Sequence, residues 1–200
     1  MNKNILLDCG ANIGQGFDRL LKQYPFLNVP NLIVHMFEPL PDAYIILKTK
    51  YPNAIIHQCA VWNKDTERIL NIENVTLAGQ SGALGHTTNI LQEDFKIPAH
   101  TKPEWMSEWP PKVSVIIKCI NLSKFIQENF DKTDIITLKL DVEGSEFEVL
   151  DAMIKDGTLS YINYLNIEWH SHMRKTNPSN TKYIEEFAKY NITMLNPKIN

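Results

Sequence analysis

The chain has 200 residues, 44% of them hydrophobic and 22% charged, enough apolar material for one domain with a full core. That composition excludes a peptide-sized module, a coiled coil and a collagen-like or low-complexity segment. A formal net charge of −3 and a pI near 6.1 give no electrostatic footprint for duplex nucleic acid or an anionic membrane.

Short β-branched runs alternate with amphipathic stretches, the pattern of an α/β domain built on a doubly wound, mostly parallel sheet. Asn4 to Cys9 reads as a first strand. A helix over Ile13 to Tyr24 follows, with Phe17, Leu20 and Leu21 at helical spacing and Pro25 ending it. Leu32 to Phe37 is a second strand. Pro41 opens a second helix at a position that tolerates proline, with Tyr44, Ile45 and Leu47 as its apolar face. Ala54 to Val61 reads as a third strand, Glu67 to Ile72 as a short one and Val113 to Ile120 as another. Residues 73–112 between the last two carry several Gly and Pro together with Trp105 and Trp109. A loop of that length inside a compact domain is expected to be a substrate loop or lid. Regular alternation then resumes: helix Leu122 to Phe130, strand Ile135 to Asp141, helix Ser145 to Lys155, strand Tyr161 to Trp169 and helix Lys182 to Tyr190. No linker or internal repeat divides residues 1–200, so a single domain is expected.

No apolar run approaches the roughly twenty residues that span a bilayer. No secretory signal precedes the first strand, and a cytoplasmic location is expected. Cys9, Cys59 and Cys119 are widely spaced, without a C-x-x-C or Cys/His cluster, and read as buried reduced thiols.

Two strand ends carry chemistry. At the first, Asp8-Cys9-Gly10-Ala11-Asn12-Ile13-Gly14 joins strand one to helix one. Glycine there lets the backbone turn tightly and a ligand approach the main chain. The glycines at 10, 14 and 16 are not in G-x-G-x-x-G order. Asp8 would repel a pyrophosphate but suits a ligand bearing an ammonium or sulfonium. At the second, Glu38 ends strand two in Phe37-Glu38-Pro39, where an acid accepts both hydrogen bonds of a ribose diol.

LDCGANIG, then FEP, then AVWN after strand three, then LKLDVEGSEFEVL together resemble the FkbM-type family of S-adenosylmethionine-dependent O-methyltransferases. The likeness runs in family order over roughly residues 4–170. It implies a Rossmann-like methyltransferase fold with S-adenosyl-L-methionine as donor. Asp8, Gly10, Ala11, Asn12 and Gly14 would line the methionine part, Glu38 with Pro39 the ribose, and Ala60 and Val61 the adenine. The acceptor implied is a hydroxyl of a sugar or glycan, or of a polyketide-type natural product. Departures from the family pattern are the lack of a capping segment before strand one and of a final antiparallel strand pair. Both fit either a minimal member or one domain of a larger glycan-modifying protein.

The strand order implied by the resemblance makes the strands ending at Asp8 and Asp141 neighbours, with the strand ending at Glu168 next. A hydroxyl acceptor needs a general base or a metal that lowers its pKa. His170 is the first candidate for base, as an imidazole neutral near pH 7. Asp141 is the alternative, or the group that orients the hydroxyl, and Lys139 and Glu168 complete the set. Asp141 with Glu168 could instead hold Mg²⁺ through hard oxygen ligands. The alternative reading is that the acids at 141, 143 and 146 only cap the helix that follows, with Lys139 pairing one of them.

Rival functions stay open at this point. A nucleic-acid acceptor is disfavoured by the acidic balance and by Asp141-Val142-Glu143-Gly144 standing where base methyltransferases carry a Pro-Pro-aromatic element. The glycine order disfavours an NAD-dependent oxidoreductase. A donor-binding domain without activity is the non-enzymatic alternative.

Overall fold

In the computed structural model, residues 2–72, 113–171 and 178–195 are described; the expected substrate loop at 73–112, with Trp105 and Trp109, lies outside them. The central sheet holds β1 (Asn4–Cys9), β2 (Leu32–Phe37), β3 (Ile55–His57), β7 (Ile135–Leu140), β8 (Ile162–Ile167) and β9 (Thr193–Met194) in the order β3-β2-β1-β7-β8-β9. Every neighbouring pair is parallel. β1 and β7 are covered on both faces, as central parallel strands must be.

Alternation along β1 divides the interior into two cores. Ile5, Leu7 and Cys9 join Leu138, Val149 and Phe187 in a core shared with α3 (Leu122–Asn129), α4 (Glu146–Lys155) and α5 (Thr181–Lys189). Leu6 instead faces Phe17, Leu20, Met36 and Leu47 under α1 (Gln15–Gln23) and α2 (Pro41–Lys50). α3 is capped by Asn121, whose side chain accepts from the Lys124 N–H. No helix among the described residues is long and apolar enough to cross a membrane. The three cysteines are free and buried.

Three expectations are corrected. The strand expected over Ala54 to Val61 is two strands, because the chain bends at Gln58–Cys59 and changes sheets. β3 pairs with β2, whereas β4 (Ala60–Trp62) joins a second sheet of order β4-β6-β5. There it runs parallel to β6 (Val113–Asn121), while β5 (Thr66–Ile72) runs antiparallel to β6. The first helix begins at Gln15 rather than Ile13, since Gly14 at its N-terminus is left-handed, φ 88°. In α2 the buried face is Ala43 and Leu47, four residues apart; Ile45 and Ile46 are exposed and Tyr44 is half-buried.

Candidate active site at the carboxyl ends of β1 and β7

Connections from β1 run toward β2 and β3, those after β7 toward β8 and β9. The sheet therefore opens a crevice beyond the carboxyl ends of β1 and β7, where ligands bind in open α/β sheets. The loop after β1 turns through left-handed Gly10 (φ 83°), Asn12 (φ 50°) and Gly14. Gly10 has no room for a side chain: a Cβ there would lie 1.8 Å from the main-chain oxygen of Asp141.

The loop is stitched to the end of β2. Gly10 and Ala11 both donate N–H to the Phe37 carbonyl, at 3.1 and 3.0 Å. Asn12 N–H donates to Glu38 Oε2 at 2.9 Å, and Leu40 N–H to Glu38 Oε1 at 2.8 Å. The acid expected to hold a ribose thus also fixes the glycine loop. Burial pushes the Glu38 carboxyl up to about 7, against the lowering effect of those two N–H groups.

Parallel pairing sets Asp8 of β1 opposite Lys139 of β7, and Lys139 opposite Asn166 of β8. All three side chains emerge on the face covered by α1. Lys139 Nζ lies 3.0 Å from Asp8 Oδ1 and 3.3 Å from Asp141 Oδ2, and donates to the Gly10 carbonyl at 3.4 Å. Burial alone would lower the Lys139 pKa, but Asp8 and Asp141 hold it well above the ordinary lysine value. Burial likewise raises the Asp8 carboxyl, and the Lys139 charge offsets part of that. Lys139 thus stands as a buried counter-ion between two carboxylates.

A cavity of about 330 Å³ opens here, walled by Gly10, Ala11 and Asn12 on one side and Lys139, Asp141 and Glu168 on the other. Asp8 lies beneath it, fully buried, through the pairing with Lys139. Glu38, Pro39 and Gly14 adjoin it through the glycine loop without lining it. Ala60 and Val61 stand in β4, away from the cavity, with the Val61 side chain committed to the core.

His170 differs most from expectation. β8 ends at Ile167, and the turn beyond it buries the imidazole among acids. Nδ1 is 2.9 Å from Glu146 Oε1; Nε2 is 3.5 Å from Glu143 Oε2 and 3.9 Å from Glu168 Oε1. Burial by itself would lower the His170 pKa, but Glu146, Glu143 and Asp141 outweigh it and raise it to about 9. These surroundings favour the charged imidazole over the neutral one expected near pH 7. Among the described residues, Asp141, Glu143 and His170 form a group of three with ligand atoms within 4.8 Å of one another, and Glu168, of the expected metal pair with Asp141, lines the cavity beside it.

Sequence reasoning missed the polar stripe of α1. Gln15, Arg19 and Gln23, at i, i+4 and i+8, all line the cavity, and Asn166 faces them from β8. Helical spacing of polar residues immediately after a glycine loop was the available signal. It also missed Gly16, where a Cβ would lie 2.5 Å from Lys139 Cε, and Glu146 as the partner of the imidazole.

The comparisons with known proteins agree with this geometry. The family model for the methyltransferase FkbM domain matches residues 8–191, from the first acidic strand end to beyond the last helix. No curated protein and no solved structure matches the chain. With the doubly wound sheet, the glycine loop at its switch point and a match spanning most of its length, the chain belongs to the FkbM methyltransferase family and is a methyltransferase.

Proposed function

We propose that the chain transfers a methyl group from S-adenosylmethionine to a hydroxyl of a sugar or glycan. The observation that carries the acceptor class is the polarity of the cavity wall. Side-chain amides of Gln15, Gln23 and Asn166 line one volume together with the Arg19 guanidinium and the carboxylates of Asp141 and Glu168. Such a wall matches a polyhydroxylated acceptor, whose hydroxyls find both donors and acceptors along it.

The residues present fit the donor. Asn12 Oδ1 and Asp8 Oδ2 are buried oxygens without a hydrogen-bond partner among the described residues, and acceptors of this kind suit an ammonium or hydroxyl donor. Glu38, at the end of β2, supports ribose recognition by its charge and place. When bound, the donor supplies a sulfonium methyl that moves in line to the acceptor oxygen, forming C–O as C–S breaks. Asp141, a quarter exposed beside the cavity, would take the hydroxyl proton, with Lys139 holding its carboxylate in place. Positioning of the two reactants supplies much of the rate in such a displacement.

The test is transfer of isotope-labelled methyl to panels of oligosaccharides and of polyketide-type alcohols, resolved by mass spectrometry. Label on saccharide oxygen is the expected result. Label confined to the polyketide panel would overturn the acceptor class.

A further inference from the structure

We propose that Asp141, Glu143 and His170 form a three-ligand site for a divalent cation of the first transition row, with Mn²⁺ as representative. One oxygen from each carboxylate and one imidazole nitrogen all lie within 4.8 Å of one another. An ion with bonds of about 2.1 Å sets neighbouring ligand atoms about 3–3.6 Å apart, and the two carboxylates, each a quarter exposed, are the side chains that would shift to close onto it.

The histidine is already oriented as a ligand. Glu146 is fully buried and accepts N–H bonds from Val142 and Gly144 at 3.0 Å each. Its contact with His170 Nδ1 at 2.9 Å therefore takes the proton of that nitrogen as donor. Nε2 is left facing Glu143 and Asp141. A carboxylate holding the far nitrogen of a metal-binding imidazole is the usual outer support of such ligands.

One imidazole with two carboxylates differs from the all-oxygen set that Mg²⁺ prefers and suits Mn²⁺ or Zn²⁺. Because Asp141 lines the cavity, an ion held here would border the acceptor and lower the pKa of its hydroxyl. That role rests on the methyl-transfer reading; binding of the ion does not.

The test titrates the metal-free full chain with Mn²⁺, following free ion by electron paramagnetic resonance, and measures S-adenosylhomocysteine binding in the same samples. One saturable Mn²⁺ per chain is expected. Glu143→Gln and His170→Asn should each weaken it at least tenfold, and Glu146→Gln by about ten- to a hundredfold through loss of ring orientation. Asp151→Asn, on the exposed side of α4, should leave it within about twofold, as a site away from the ligands does. Circular dichroism checks that each variant is folded. Absence of saturable Mn²⁺, Zn²⁺ or Co²⁺ binding by the folded wild-type chain would overturn the site, as would unchanged binding in folded Glu143→Gln and His170→Asn. If the homocysteine product binds and no metal does, the metal site fails and the methyltransferase reading stands. Metal binding without product binding leaves the site standing and removes its proposed role.

Discussion

Replacing Lys139 by methionine is expected to destabilise the fold by about 3–5 kcal/mol at pH 7, the cost of breaking a buried ion pair from one side. The pair is enclosed: Asp8 is 0% and Lys139 4% exposed, and its Nζ–Oδ1 distance is 3.0 Å. Methionine preserves much of the packing volume in contact with Gly16, so the loss reports charge. Removal of the cation leaves Asp8 ionised in the core with no counter-ion, and its carboxyl, already raised by burial, must rise further. The folded-state pKa then stands well above the unfolded value. The sign follows: the variant regains stability as pH falls and Asp8 protonates, whereas the wild type does not gain from this group to the same degree. Urea unfolding at neutral and mildly acidic pH measures both. Adding Asp8→Asn to Lys139→Met should recover part of the loss, while a loss below about 1 kcal/mol would place the pair among weak surface-type ion pairs.

Gly10→Ala is expected to abolish donor binding and to cost more stability than Gly14→Ala. Both positions are left-handed, at φ 83° and 88°, and an L-residue there costs roughly 1–2 kcal/mol. The difference lies in what the new Cβ meets. At Gly10 it is the Asp141 carbonyl, at 1.8 Å, a main-chain atom at the end of β7. At Gly14 it is the edge of the Tyr51 ring, at 2.3 Å, which can swing away although it gives up its hydrogen bond to the Gly14 carbonyl. Backbone cannot yield so easily. Relief at Gly10 separates the β1 loop from Asp141 and pulls on the N–H groups that tie the loop to Phe37 and Glu38. Product binding by calorimetry and thermal unfolding of both variants check the order; equal losses at the two positions would contradict this account.

Much of the sheet was legible because its strands are buried on both faces and bounded by turn residues. β1, β2 and β7 stand where β-branched and aliphatic runs place them, and Pro41 opens α2 as its chemistry dictates. The run over Ala54 to Val61 misled because an apolar stretch reveals burial but not the partner strand, and the bend at Gln58–Cys59 carries neither Gly nor Pro. The apolar face of α2 was misassigned because Ile45 and Ile46 are exposed while small Ala43 is buried.

The site was legible to the same depth. Asp8, Gly10, Glu38 and Asp141 stand at strand ends, where position along the chain carries their meaning. The state of His170 was hidden, since it depends on Glu146 and Glu143, more than twenty residues earlier, converging on it in space. The same holds for Lys139, which becomes a buried counter-ion only when β1 and β7 pair in the observed register.

The most direct test of the central claim is calorimetric titration of the full chain with S-adenosylhomocysteine, and with NADH for comparison, between about pH 6 and pH 8, spanning the carboxyl of Glu38 near 7. On the proposed reading, in which Glu38 takes the ribose as a carboxylate, a proton held below that value must leave on binding. The account predicts saturable binding of the adenosyl ligand alone, level above about pH 7 and weakening toward tenfold per pH unit below it. Binding of NADH in preference, or no binding of S-adenosylhomocysteine by the folded chain at any pH, would contradict it.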